Sequence, residues 1–141
     1  MRDLYSHIDP ALTFGPVALA ASATGATVDL LGHESAVIDL EVGIGGITFT
    51  ATNKVEFVAE HSVDGSAWTK LADADLQGVS GVTNGIIKAL VAAHAAPVAY
   101  RYGYVGGKRY LRVSPAFAGT HGTATPMSCA IIKGNPSRTV A

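Results

Sequence analysis

Apolar and polar residues alternate along much of this chain with the period of strands. In "AVIDLEV", Val37, Asp39 and Glu41 fall on one face and Ile38, Leu40 and Val42 on the other, which predicts a half-buried strand. "KVEFVAEHS" repeats the pattern, with Val55, Phe57 and Ala59 opposed to Glu56, Val58 and Glu60. "TVDLLG" and "MSCAIIKG" read as two further strands. "GIGGITFTATN" predicts a strand entered through a glycine bend, with Ile47, Phe49 and Ala51 on one face. "GIIKALVAAHAAP" carries a helical stripe as well as a strand pattern. Gly85 and Pro97 bracket it, which favours a strand that gives way to a turn over the alanines.

Two stretches read as hairpins. In "EHSVDGSAWTKL", Asp64 accepts hydrogen bonds from nearby backbone N–H groups, and Gly65 takes the left-handed conformation that closes the turn. Trp68 then opens the return strand. In "VAYRYGYVGGKRYLRV", Val98, Tyr100, Tyr102 and Tyr104 share a face and Gly106-Gly107 supplies the turn. The tyrosine stripe is expected in the core or at a subunit contact, because tyrosine suits places with one apolar and one wet end.

The ends lack a clear period. Residues 1–25 are expected to form an extended N-terminal arm, 26–134 a single β-domain, and 135–141 a C-terminal tail. Leu4, Tyr5, Ile8, Leu12 and Phe14 are more apolar than a solvated arm requires, so they are candidates for an interface that orders on docking. Deleting residues 1–14 is then expected to spare the β-domain. Eight or nine short strands and no convincing long helix predict an all-β, antiparallel β-sandwich of jelly-roll type.

Composition narrows the function classes. The 141 residues suit one domain with its own core, and 48% hydrophobic residues exclude a disordered chain. A net charge of −1 supplies no basic field for nucleic acid, and no apolar run is long enough for a membrane-spanning helix. Cys129 is the only cysteine, so no intrachain disulfide is possible, and it is expected to be a small buried hydrophobe.

The candidate chemistry is thin. Asp73 and Asp75, with Asp64 near in sequence, lack the ligand spacing of a calcium loop. His7, His33, His61, His94 and His121 show no zinc spacing, and no nucleophile elbow or phosphate cradle is present. The expectation is a non-enzyme with no metal and no cofactor.

The order of "WTKLADADLQG", "YGYVGGKRYLRV" and "GTHGTATPMSCAIIKG" resembles a family of small virion structural proteins of tailed phages and prophages, over roughly residues 37–134. "MRDLYSHIDPAL" resembles the opening of such proteins. The resemblance implies a β-sandwich made in the bacterial host cytoplasm that decorates or cements the capsid surface. Its implied partners are the major capsid protein and copies of itself, a trimer among the options, with no nucleic acid and no membrane. Two other readings stay open: a carbohydrate-binding jelly roll of an adhesion or tail apparatus, and a head–tail or tail component.

Overall fold

The computed structural model describes residues 1–137. About half of the chain is strand (51%) against 4% helix, arranged as two antiparallel five-stranded sheets packed into an all-β sandwich. In chain order the strands are β1 (Ile8–Leu19), β2 (Val28–Asp29), β3 (His33–Val42), β4 (Lys54–Ser62) and β5 (Thr69–Lys70). They continue as β6 (Leu76–Gln77), β7 (Ile86–Leu90), β8 (Val98–Tyr104), β9 (Tyr110–Ala118) and β10 (Thr125–Pro136). The first sheet runs β1-β10-β3-β8-β6; the second runs β2-β9-β4-β5, with β7 also paired to β4. Every connection except β4–β5 therefore carries the chain from one sheet to the other, an interlacing of jelly-roll type.

Strand alternation builds the core between the sheets. Ile38, Leu40 and Val42 of β3 face Val55, Phe57 and Ala59 of β4 across the interior, joined by Leu111 and Val113 of β9 and Cys129 and Ile131 of β10. Cys129 is fully buried, and its surroundings push the thiol well above its ordinary range. It is a packing residue rather than a ready thiolate.

Several expectations need correction. The stretch Val98–Val113 is no hairpin, because β8 pairs with β3 and β6 while β9 pairs with β4 and β2. Gly106-Gly107 lies in the loop that crosses between the sheets. "GIGGITFTATN" is a loop, although Phe49 in it is buried. The backbone there is drawn off by cross-chain bonds, such as Gly46 N–H to the Thr125 hydroxyl at 2.9 Å, instead of a ladder.

The expected arm is also wrong from Ile8 onward. Residues 8–19 form the edge strand of the first sheet, antiparallel to β10, with register shifts between Leu12 and Phe14 and between Phe14 and Val17. Those bulges break the alternation and hide the strand from a periodicity reading. Thr13 explains why the strand is held. Its buried hydroxyl donates to Ala26 C=O at 2.8 Å and accepts from Val113 N–H at 3.1 Å, tying β1 to the second sheet. Phe14 stacks on Phe57, with ring centroids 6.2 Å apart and an interplanar angle of 6°. At the other end, Asn135 and Pro136 belong to β10 rather than to a tail, and Ser137 N–H bonds to Gly32 C=O. The rest of the expected tail, residues 138–141, lies outside the described residues.

Candidate docking surface

The Asp64 hairpin is a self-contained piece of structure. The Ser62 hydroxyl accepts from Gly65 N–H at 2.9 Å, while Asp64 Oδ1 accepts from Ser66 and Ala67 N–H at 2.8 and 2.9 Å. These bonds, Ala67 and Ser66 foremost, hold the Asp64 carboxyl down to about 2. Gly65 has φ of +77°, as the sequence requires. Replacing it with valine puts a β-branched residue into the left-handed region, and the expected loss is about 1–2 kcal/mol. Thermal unfolding of Gly65→Val checks this; an unchanged melting temperature contradicts it. Trp68 lies half-buried beneath the Arg112 guanidinium, 4.0 Å from ring centroid to Cζ, and Arg112 is itself paired with Glu60 at 2.9 Å. One face of the indole is therefore already occupied.

The tyrosine stripe is graded in burial. Tyr102 and Tyr104 lie in the core, which removes them as interface residues, and Tyr100 is half-buried. Tyr104 has a specific task. Its hydroxyl accepts from Lys108 N–H at 3.1 Å and sits 2.8 Å from His61 Nδ1. The two contacts together hold the Tyr104 hydroxyl between the His61 ring and the Lys108 backbone. Gly106 packs against this pair so closely that a Cβ there would come within 2.8 Å of His61 Nδ1 and 2.7 Å of the Tyr104 ring. Burial, and then the charge of Lys108, hold the His61 pKa below its ordinary value.

That shift has a defined sign. The fold favours neutral His61, so its contribution is complete above the unfolded value of about 6.5. It is lost as the pH falls below that value toward the folded pKa. The melting temperature is expected to drop between pH 7.5 and 5.5, and His61→Gln is expected to flatten that drop. An equal drop in both proteins contradicts the assignment. Tyr100 is engaged in the same manner: His94 Nε2 lies 2.9 Å from its hydroxyl, and His94 Nδ1 lies 2.8 Å from Gly43 C=O. This bridge fastens the loop after β7 to the loop after β3, and nothing in the pattern of the sequence announced it.

Asp73 and Asp75 each serve the backbone. Asp73 accepts from Gly81 and Val82 N–H at 2.9 and 2.7 Å, and Asp75 accepts from Ala72 N–H at 3.0 Å. Among the described residues, no group of three or more His, Cys, Asp or Glu side chains gathers in a metal-holding arrangement.

What remains open is a surface on the first sheet. The registers set Pro10 beside Ile132 and Val37, and Leu12 beside Ala130 and Asp39. By alternation these side chains point away from the core. Ile8 and Leu12 are exposed (37% and 54%), and Val37, Ala130 and Ile132 are half-buried, so the outer corner of β1, β10 and β3 is an apolar patch with Asp39 at its border. Leu4 and Tyr5 extend it at the N-terminal end as exposed side chains in the short turn before β1. Of the expected interface residues, the structure thus leaves Leu4, Tyr5, Ile8 and Leu12 on the surface and takes Phe14, Tyr102 and Tyr104 inside.

The open edge of β1 is guarded. Gly43 N–H donates to Pro126 C=O at 2.8 Å, so Pro126 turns its polar backbone toward β3. By alternation through the unbroken register, Ile132 does the same. Pro10, opposite Ile132, therefore faces the free edge with the nitrogen that carries no hydrogen. The edge loses a donor near its N-terminal end, a common defence against strand addition.

The chain matches no known protein-family model and no curated protein. It is similar in structure to a solved chain from work on Bacillus endospore appendages, described as a novel family of disulfide-linked pili. The TM-score is 0.37 and the identity 15%, over 93% of this chain and 90% of that one. A likeness so loose carries no weight for function.

Proposed function

We propose that this protein is a non-enzymatic structural component of a tailed-phage particle that docks on the capsid surface as a decoration protein. The observation that carries the docking reading is the patch formed by Ile8, Leu12, Val37, Ala130 and Ile132 on the outer face of the first sheet. Monomeric proteins rarely leave such a face uncovered without a partner for it. The capsid as the partner is drawn from the sequence resemblance to virion structural proteins. The polar side chains that a catalytic reading would need are committed to loops and caps, as with Asp64, Asp73 and His94. A carbohydrate platform is disfavoured, since the lone tryptophan already stacks with Arg112.

Docking here means burial of apolar surface, worth about 25 cal/mol per Å² before the costs of association. Leu12→Asp with Ile132→Asp places two carboxylates in that contact and removes the driving force, while both sites stay on the solvent side of the sheet. The expected result is an unchanged fold and at least a tenfold loss of occupancy on capsids lacking this component. Full occupancy by the double variant overturns the reading.

A further inference from the structure

The first sheet carries a second apolar feature, at the end away from the patch. Exposed Pro16, Pro97 and Pro126, with Val17 (42%) and Val98 (40%), line an open cleft of about 360 Å³ across β1, β10, β3 and β8. Its frame is fixed. Gly43 N–H bonds to Pro126 C=O at 2.8 Å, and His94 ties Gly43 C=O to the Tyr100 hydroxyl. Of the residues that line the cleft, Glu41 alone is charged. It is exposed and enters no ion pair among the described residues. In the next row of the sheet Asp39 stands opposite Arg101, so those two charges offset each other and Glu41 sets the sign of the site.

A cleft with apolar walls and one carboxylate suits a segment in which a cation stands near a large apolar side chain. The chain carries such a segment before β1. Arg2, Leu4 (64%) and Tyr5 (91%) are exposed, while the Asp3 carboxylate turns back on Ser6 N–H at 3.3 Å. No copy can place this segment in its own cleft. Pro16 lies roughly 25 Å beyond Ile8 at the rise of a strand, whereas Leu4 spans at most about 14 Å before it. Tyr5 reaches less far still.

We infer that residues 2–5 of one copy dock in this cleft on a second copy of the chain. The Tyr5 ring lies between the prolines, and the Arg2 guanidinium meets the Glu41 carboxylate. Tyrosine suits the place, because its ring packs on apolar walls while its hydroxyl stays wet. Each copy gives a segment at one end of β1 and receives one at the other. The contact is therefore heterologous, and it repeats into a ring or a row of copies. Ile8 and Leu12 stay free for the contact proposed above.

Analytical ultracentrifugation of the full chain at rising concentration tests this without any capsid. The inference expects species larger than the monomer that grow with concentration. Arg2→Glu and Glu41→Arg, both on the surface, are each expected to weaken that association about tenfold or more and to leave the melting temperature unchanged. Combined in one chain they restore it, because the ion pair is then reversed and not lost. Tyr5→Ser is expected to weaken it with no change of charge. A protein that stays monomeric at every concentration, or association that neither charge reversal weakens, overturns the inference. A combined variant no better than the single ones overturns it too. Self-association in solution stands apart from the capsid-occupancy result for Leu12→Asp with Ile132→Asp, so the two readings fail separately.

Discussion

Removing residues 1–14 is expected to destroy the fold, whereas removing residues 1–7 leaves it intact. The longer deletion takes the half of β1 that pairs with Ala130–Gly134, the Thr13 hydroxyl and the Phe14 ring. Without Thr13, Val113 N–H and Ala26 C=O lose their partner, at about 1–3 kcal/mol for a buried group. Loss of Phe14 from its place on Phe57 forfeits roughly 1–2 kcal/mol more of apolar burial. The severed ladder exposes one side of β10, which crosses the middle of the core. Together these losses approach the 5–15 kcal/mol that typically holds a domain folded. The shorter deletion removes only exposed residues and one turn of 3-10 helix. Circular dichroism and thermal melts of the two truncations decide the matter. A cooperative melt near the wild-type temperature for the 1–14 deletion would mean that β1 is an accessory strand.

Gly106→Val is expected to have the next largest effect. Gly106 is one of several glycines against which a Cβ would collide, and its neighbours here are two buried rings bonded to each other. Neither can retreat. His61 packs in the core beside β9, and the Tyr104 hydroxyl is held by both His61 and Lys108. The added side chain must break that bond or displace the crossing loop, at about 3 kcal/mol. For a domain of this size that corresponds to a fall of roughly 10 °C in melting temperature. At Gly107, which has φ of +71° and open space around it, substitution costs only the left-handed strain. A Gly106→Val protein as stable as wild type would contradict the packing described for the His61–Tyr104 pair.

Much of the fold was legible from alternation alone, and for a physical reason. β3, β4 and β10 each bury one face, so their sequences carry the period of the pleat with few interruptions. Asp64-Gly65 was equally legible because its turn chemistry is local. Pairing was not. Alternation says which side of a strand is buried but nothing about which strand lies next to it. A glycine pair closes a hairpin and opens a crossing between sheets with the same residues, and β8–β9 was misread on that account. β1 was missed because Pro10, Pro16 and two bulges interrupt its period, and an edge strand tolerates all of them.

The candidate docking surface was legible in part. Apolar residues in the first fourteen positions pointed to an interface, and four of the five named there do lie on the surface. Their partners in the patch, Val37, Ala130 and Ile132, come from strands distant in sequence, and only the register of β1, β10 and β3 brings them together.

The most direct measurement of the proposed role is a cryo-electron microscopy reconstruction of the assembled phage particle at a resolution that shows strands. The account predicts copies of this sandwich on the outer surface of the capsid shell, with β1, β10 and β3 turned toward capsid subunits and Leu12 and Ile132 buried in the contact. Density for the sandwich in the tail or at the head–tail joint, or on the shell with that face turned to solvent, would contradict it.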